Sequence, residues 1–297
     1  TIHKGVGSES LTFTGATSSS KDVATANKFI NAITLTDAID GSGGLASNYE
    51  LPSLDAINAP ATIQAKPVSL SAVRTYDGSV NLSGAVTILT GIGTETLSYQ
   101  GATSSSKDVA TANKFIDAIT LKDASDMSGG LASNYELPTL DASNAPVTIK
   151  AKTIELFANR TYDGTAHLLG GDVSITTGVG NETLSHAGTT SSSKDVAVAN
   201  KFISSITLAD AIDGSGGVST NYQLPSLDAI NAPVTITART VGLSANRIYD
   251  GSLDLLGADV TITTGVGIET LTHTATTSSS KDVAIADKYI ESITLLD

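Results

Sequence analysis

Apolar and polar side chains alternate in short runs along the chain. Val147-Thr148-Ile149-Lys150-Ala151-Lys152, Val173-Ser174-Ile175-Thr176 and part of Phe202-Ile203-Ser204-Ser205-Ile206-Thr207-Leu208 follow period two, the signature of half-buried strands. Thr, Ser, Val and Ile fill these runs, and Gly, Asn, Asp and Pro separate them, as strands and turns require. Helix competes in one place, Lys21-Asp22-Val23-Ala24-Thr25-Ala26-Asn27-Lys28. Its alanines favour helix, but Thr and Asn are poor helix formers and a β-rich run follows, so strand is the expectation there.

The pattern repeats. Ser-Ser-Ser-Lys-Asp-Val-Ala begins at Ser18, Ser104, Ser191 and Ser278, at steps of 86, 87 and 87 residues. Tyr-Asp-Gly at Tyr76, Tyr162 and Tyr249, Asn-Tyr-x-Leu-Pro at Asn48, Asn134 and Asn221, and Gly-x-Gly-x-Glu at Gly5, Gly91, Gly178 and Gly265 keep that step. The odd residue lies where Ser83-Gly84-Ala85-Val86 faces Leu169-Gly170-Gly171-Asp172-Val173, which predicts a loop or bulge. Cutting after each Ala-Lys/Arg strand gives complete repeats at 67–152 and 153–239, a partial repeat at 1–66 lacking its first strands, and another at 240–297 lacking its last third. Each unit holds about six or seven strands, and the expectation is an all-β tandem array of β-sandwich-like domains. No Gly/Ser tract or charge run interrupts the junctions, so the array should be a stiff rod, and its arrest inside a repeat at both ends suggests a window on a longer array.

Composition narrows the function. Among 297 residues, 17 Lys+Arg against 30 Asp+Glu give a net charge of −13, which disfavours nucleic acid and anionic membrane surfaces as partners. Residues 153–239 alone carry four basic and eight acidic side chains, a net −4. Zero cysteines exclude disulfides, thiolate metal sites and a Cys nucleophile. No apolar run approaches the ~20 residues of a membrane span.

The recurring motifs read as structure. Tyr76-Asp77-Gly78, Tyr162-Asp163-Gly164 and Tyr249-Asp250-Gly251 form a turn in which Asp bonds backbone amides, Gly takes a positive φ and Tyr plugs the core. The preceding Arg74, Arg160 and Arg247 brace a nearby carboxylate or sit in solvent. Gly-x-Gly lacks the third glycine and βαβ setting of a nucleotide loop, so a hairpin turn is expected. His186 and His273 stand where other copies have Tyr99 and Phe13, so they fill a side-chain site; His3 and His167 recur nowhere.

Three further chemistries are open. Asp37 with Asp40, Asp123 with Asp126 and Asp210 with Asp213 place carboxylates in Gly-rich loops, a weak calcium signal without the alternating oxygens of an EF-hand. Lys21, Lys107, Lys194 and Lys281 recur near Asn and acidic residues, as an isopeptide cross-link would need, but that bond requires a buried lysine. The Ser-Ser-Ser-Lys run lacks a His partner or pocket signature, and an active site repeated four times is disfavoured.

Tyr162-Asp163-Gly164, Lys194-Asp195-Val196, Asn221-Tyr222-Gln223-Leu224 and the closing Ala232-Pro233-Val234-Thr235-Ile236-Thr237-Ala238-Arg239 together resemble the YDG repeat domain. That domain occurs in tandem in large bacterial surface and secreted proteins of the filamentous-haemagglutinin-like and giant-adhesin kind. Family members often carry Gly where this chain has Ala24, Ala110, Ala197 and Ala284. The resemblance implies a non-catalytic extracellular or cell-surface stalk or spacer, with neighbouring repeats as its main partners and no cofactor. The alternative is that the repeats bind one another in a filament, or a glycan.

Overall fold

Val147 and Ile149 are buried while Thr148 and Lys150 face solvent, so the predicted alternation builds one face of the core. The structure, a computed structural model, describes residue 2 and residues 6–296. His3 and Gly5 lie outside the described residues. The protein is all-β, and among the described residues its helical turns are short 3-10 ones.

Two compact units divide the chain, Thr1–Lys150 and Ala151–Asp297. The first contains β1 (Thr12–Ser18), β2 (Ile30–Thr36), β3 (Lys66–Pro67), β4 (Ser69–Thr75), β5 (Val86–Leu89), β6 (Ser98–Ser104), β7 (Ile116–Lys122), β8 (Tyr135–Glu136) and β9 (Val147–Lys150). The second contains β10 (Lys152–Thr153), β11 (Glu155–Thr161), β12 (Val173–Thr176), β13 (Ser185–Ser191), β14 (Ile203–Ala209), β15 (Tyr222–Gln223), β16 (Val234–Thr237), β17 (Gly242–Ala245), β18 (Val260–Thr263), β19 (Thr272–Ser278) and β20 (Ile290–Leu296).

Each complete repeat is built the same way. A three-stranded sheet of order β12-β11-β16 pairs β11 antiparallel to β12 and parallel to β16, with Ala158 opposite Val234. The hairpin β13-β14 covers it, and Leu156, Ala158, Leu168, Ile203, Val234 and Ile236 meet in the core. The first unit repeats this as β5-β4-β9 and β6-β7. The parallel pair joins the two ends of a repeat, so the closing Val-Thr-Ile strand locks onto the opening one about 76 residues earlier. Local alternation carries no trace of that pairing.

The structure departs from two local expectations. Residues 21–28 form a turn-rich loop rather than a strand. Asn27, like Asn113 and Asn200 in the later copies of this loop, takes φ near 54°, which breaks any ladder, while Ala24 and its copies keep negative φ and need no glycine. Second, Gly91 and Gly93 do occupy positive-φ turn positions, at 62° and 44°, but β5 and β6 on either side belong to different sheets. Gly-x-Gly is therefore a crossover between layers and not a hairpin.

The odd residue of the 87-step has a specific cause. In repeat three, Gly170–Asp172 form a 3-10 turn in which the Asp172 carboxylate accepts the Leu169 N–H at 2.8 Å. The shorter loop of repeat two has no such aspartate; there the Tyr99 hydroxyl donates to Leu82 O at 2.9 Å and accepts from Val86 N at 3.1 Å. The Ser83 N–H, counterpart of the Leu169 N–H, is accepted there by Asn81 Oδ1 at 2.8 Å, so a side chain before the loop does locally what Asp172 does from its end.

Candidate functional site: the seam between repeats

The Tyr-Asp-Gly turn forms as its sequence demands. Asp77, Asp163 and Asp250 accept N–H bonds from Ser79, Thr165 and Ser252 at 2.8–2.9 Å, and Gly78, Gly164 and Gly251 take φ of 81–84°. Each preceding arginine is committed: Arg74, Arg160 and Arg247 pair with Asp77, Asp163 and Asp250. Arg160 also donates to His167 O and Thr165 O, with its side chain almost wholly buried. A guanidinium fork therefore staples the turn in each copy. Tyr76 is only 2% exposed, as a core plug should be, whereas Tyr249 in the partial fourth repeat is 56% exposed.

Within the second unit the Tyr162 turn faces the next repeat. In the second unit the Tyr162 hydroxyl donates to Glu269 at 2.6 Å, and Lys194 lies 3.6 Å from the same carboxylate and over the Tyr162 ring. Glu269 closes the Gly-x-Gly-x-Glu motif of repeat four. A Cβ on Gly164 would come within 2.6 Å of Val266 Cγ1, so the two repeats touch where only glycine fits. A cavity of about 670 Å³ lies alongside, lined by Tyr162, Asp195, Arg239, Val266 and Glu269.

The first unit shows the same seam from the other side. Lys21 pairs with Glu95 at 3.2 Å, the counterpart of Lys194 with Glu269. Glu95 also accepts from the Tyr135 hydroxyl at 2.6 Å, and these two donors, Tyr135 foremost, hold its carboxyl below the usual range. Asn134 accepts from Val23 N–H at 2.7 Å and donates to Asp22 at 2.9 Å. The junction basic residues contribute too, since Lys66 and Lys152 donate to Gly91 O and Gly178 O at 2.8 and 2.9 Å.

The aspartate pairs are caps. Asp37, Asp123 and Asp210 accept the N–H of Ala46, Ala132 and Ser219 at 2.7–2.8 Å. Asp40, Asp126 and Asp213 tie their loop to the segment leading into β1, β6 and β13, through Ser10, Thr96 and Thr183 at 2.6–2.8 Å, and cap Ser42, Ser128 and Ser215 N–H at 3.0 Å. Backbone and hydroxyl donors push the Asp213 carboxyl down to about 2, and hydroxyl donors push Asp40 lower still. Among the described residues, no three His, Cys, Asp or Glu side chains cluster together.

The repeated lysines divide into two sets with different roles. Lys21 is 74% exposed at its seam, an environment unlike the buried one an isopeptide bond needs. The buried set is Lys114 and Lys201, which the motif reading passed over. Lys201 donates to Val196 O at 3.1 Å and Val198 O at 2.5 Å, and Lys114 does the same to Val109 O and Thr111 O, so each pins its Ser-Ser-Ser-Lys loop from beneath. Their recurrence at the 86–87 step was the available signal, but no local pattern marks a lysine as buried. His186 and His273 bond Thr189 and Thr276 through Nδ1 at 2.7 and 2.6 Å.

No protein-family model, curated protein or solved structure matches the chain.

Proposed function

We propose that this chain is a structural repeat segment, a non-catalytic spacer or stalk of a bacterial secreted or cell-surface adhesin, built from tandem β-sandwich-like domains. The observation that carries this reading is where the recurring polar residues go. Tyr162, Gly164 and Lys194 of one repeat meet Val266 and Glu269 of the next, and Lys21, Asp22 and Val23 meet Glu95 and Asn134. Motifs that could have served chemistry are spent on holding consecutive repeats together, which suits a protein whose output is length. The resemblance to YDG repeats supports the extracellular setting, and the acidic balance supports solubility through mutual repulsion.

Small-angle scattering on chains carrying one, two or three inserted copies of residues 153–239 tests it. Equal increments in maximum dimension per copy are expected, and increments that shrink with each copy overturn the reading.

A further inference from the structure

We infer that the free edge of β12 in repeat three accepts an extended basic peptide of another protein, which adds a strand beside Val173–Thr176. Among the described residues β12 pairs only with β11, placing Ala158 opposite Val173 and Leu156 opposite Ile175. In the sister copies the bonds Val73 N–H to Ala85 O and Asn246 N–H to Asp259 O set the phase of this ladder. Carried to Asn159 and Asp172, that phase gives Phe157 and Ser174 the bonds between the strands, while the N–H and C=O groups of Val173 and Ile175 point outward. Native edges are usually blunted by Lys, Pro or a bulge, and Val173-Ser174-Ile175-Thr176 carries none of them.

The same edge is closed in repeat two, where Tyr99 Oη accepts the Val86 N–H at 3.1 Å and donates to Leu82 O at 2.9 Å. His186 takes the place of Tyr99, bonds Thr189 through Nδ1, and leaves its buried Nε2 without a partner among the described residues. A cleft of about 700 Å³ lies beside β12, lined by Phe157, Ile175, Leu184, His186, Ile212 and Asp213. Phe157 is 48% exposed and Ile212 91%, at positions where repeat two has Ser71 and Ser125. Outward main-chain groups thus stand next to exposed apolar side chains, the two features a docking strand uses.

Charge selects the occupant. Asp213 contributes a carboxylate to the cleft, and among the described residues no Lys or Arg lines it. Glu155 lies two positions from Phe157 on the same face of β11, and residues 153–239 carry a net −4. A second copy of this acidic chain brings like charge to that rim, whereas an apolar strand flanked by Lys or Arg complements it. The incoming strand bonds the N–H and C=O of Val173 and Ile175, and its alternate side chains pack toward Phe157 and Ile212. This site stands apart from the spacer reading, since peptide binding and scattering increments vary independently.

Calorimetric titration of the full chain with the end-capped peptide Lys-Val-Thr-Ile-Thr-Lys tests it, and hydrogen exchange of the mixture locates the contact. Saturable binding that weakens with added salt is expected, with exchange slowed at Val173 and Ile175. His186→Tyr and Phe157→Ser install the residues of repeat two, and each should weaken binding by at least about tenfold. The acidic peptide Glu-Val-Thr-Ile-Thr-Glu should not bind. A lysine peptide that fails to bind, either variant binding as tightly as the wild type, or unchanged exchange at Val173 and Ile175 overturns the proposal. Self-association of the chain that His186→Tyr abolishes would assign the edge to a second copy, and oligosaccharide binding that Phe157→Ser abolishes would assign the cleft to a glycan; either result also overturns it.

Discussion

Asn134 holds Asp22 across a repeat boundary, its amide donating to the carboxylate at 2.9 Å while its carbonyl takes the Val23 N–H at 2.7 Å. One side chain satisfies two groups about 110 residues away, so the Asn-Tyr motif acts as a clamp on the preceding repeat. Asn134→Ala leaves the Val23 N–H without its acceptor and should cost about 1–2 kcal/mol. Asn134→Asp keeps the acceptor but faces Asp22 with a second carboxylate, so it should destabilise more at pH 7 than near pH 3. Thermal melting of both variants at the two pH values checks the order.

Gly164 and Gly251 share a backbone conformation but not an environment, with φ of 84° and 83°. A Cβ at Gly251 meets nothing within 4 Å, whereas at Gly164 it meets Val266 at 2.6 Å. Gly251→Ala should cost only the left-handed strain, roughly 1 kcal/mol, and Gly164→Ala measurably more. Equal losses would show that the seam yields freely. The converse holds at Ala275, which sits at φ 49° where the other hairpins have Gly15, Gly101 and Gly188, so Ala275→Gly should raise stability.

Lys201 is 7% exposed and donates to two carbonyls of the loop before it. Lys201→Met fills the space but leaves Val196 O and Val198 O without this donor, a loss of about 1–3 kcal/mol. Hydrogen exchange should rise first in residues 192–200. Uniform acceleration over the whole unit would mean that the lysine supports the core and not the loop.

The capping aspartates set the acid limit. Asp40, Asp55, Asp126, Asp141, Asp210, Asp213 and Asp228 all ionise below their ordinary value because N–H and hydroxyl donors favour the carboxylate. A group depressed in the folded state contributes stability that is complete above its unfolded value near 4 and lost as pH falls through the folded one, about 2 for Asp213. Melting temperature should therefore hold from neutral pH down to about pH 5 and fall between roughly pH 4 and 2. With the same oxygens serving as caps, melting should be equal in excess calcium and in excess chelator; a rise in calcium would restore a metal role for Asp37 and Asp40 and their copies.

Several of these relationships were legible in the sequence. Tyr-Asp-Gly as a braced turn, the strands at Val147–Lys150 and Val173–Thr176, and the variable loop at Ser83–Val86 all follow from spacing and residue type, because turns and alternation are short-range effects. The fate of residues 21–28 was not legible. There the outcome rests on Asn27 in a left-handed turn and on Lys28 donating to Val23 O and Thr25 O, which propensities do not register.

By itself the sequence determined that the chain is β, that it repeats every 86–87 residues, and which positions recur. Tertiary structure decided what the recurrences are for. Glu95 answers Lys21 and Tyr135, Asn134 answers Asp22, and Gly164 makes room for Val266. A periodic sequence gives every copy the same local pattern, so the parallel pairing of β11 with β16, which helps bury Leu156 in its repeat, is decided only when the chain folds.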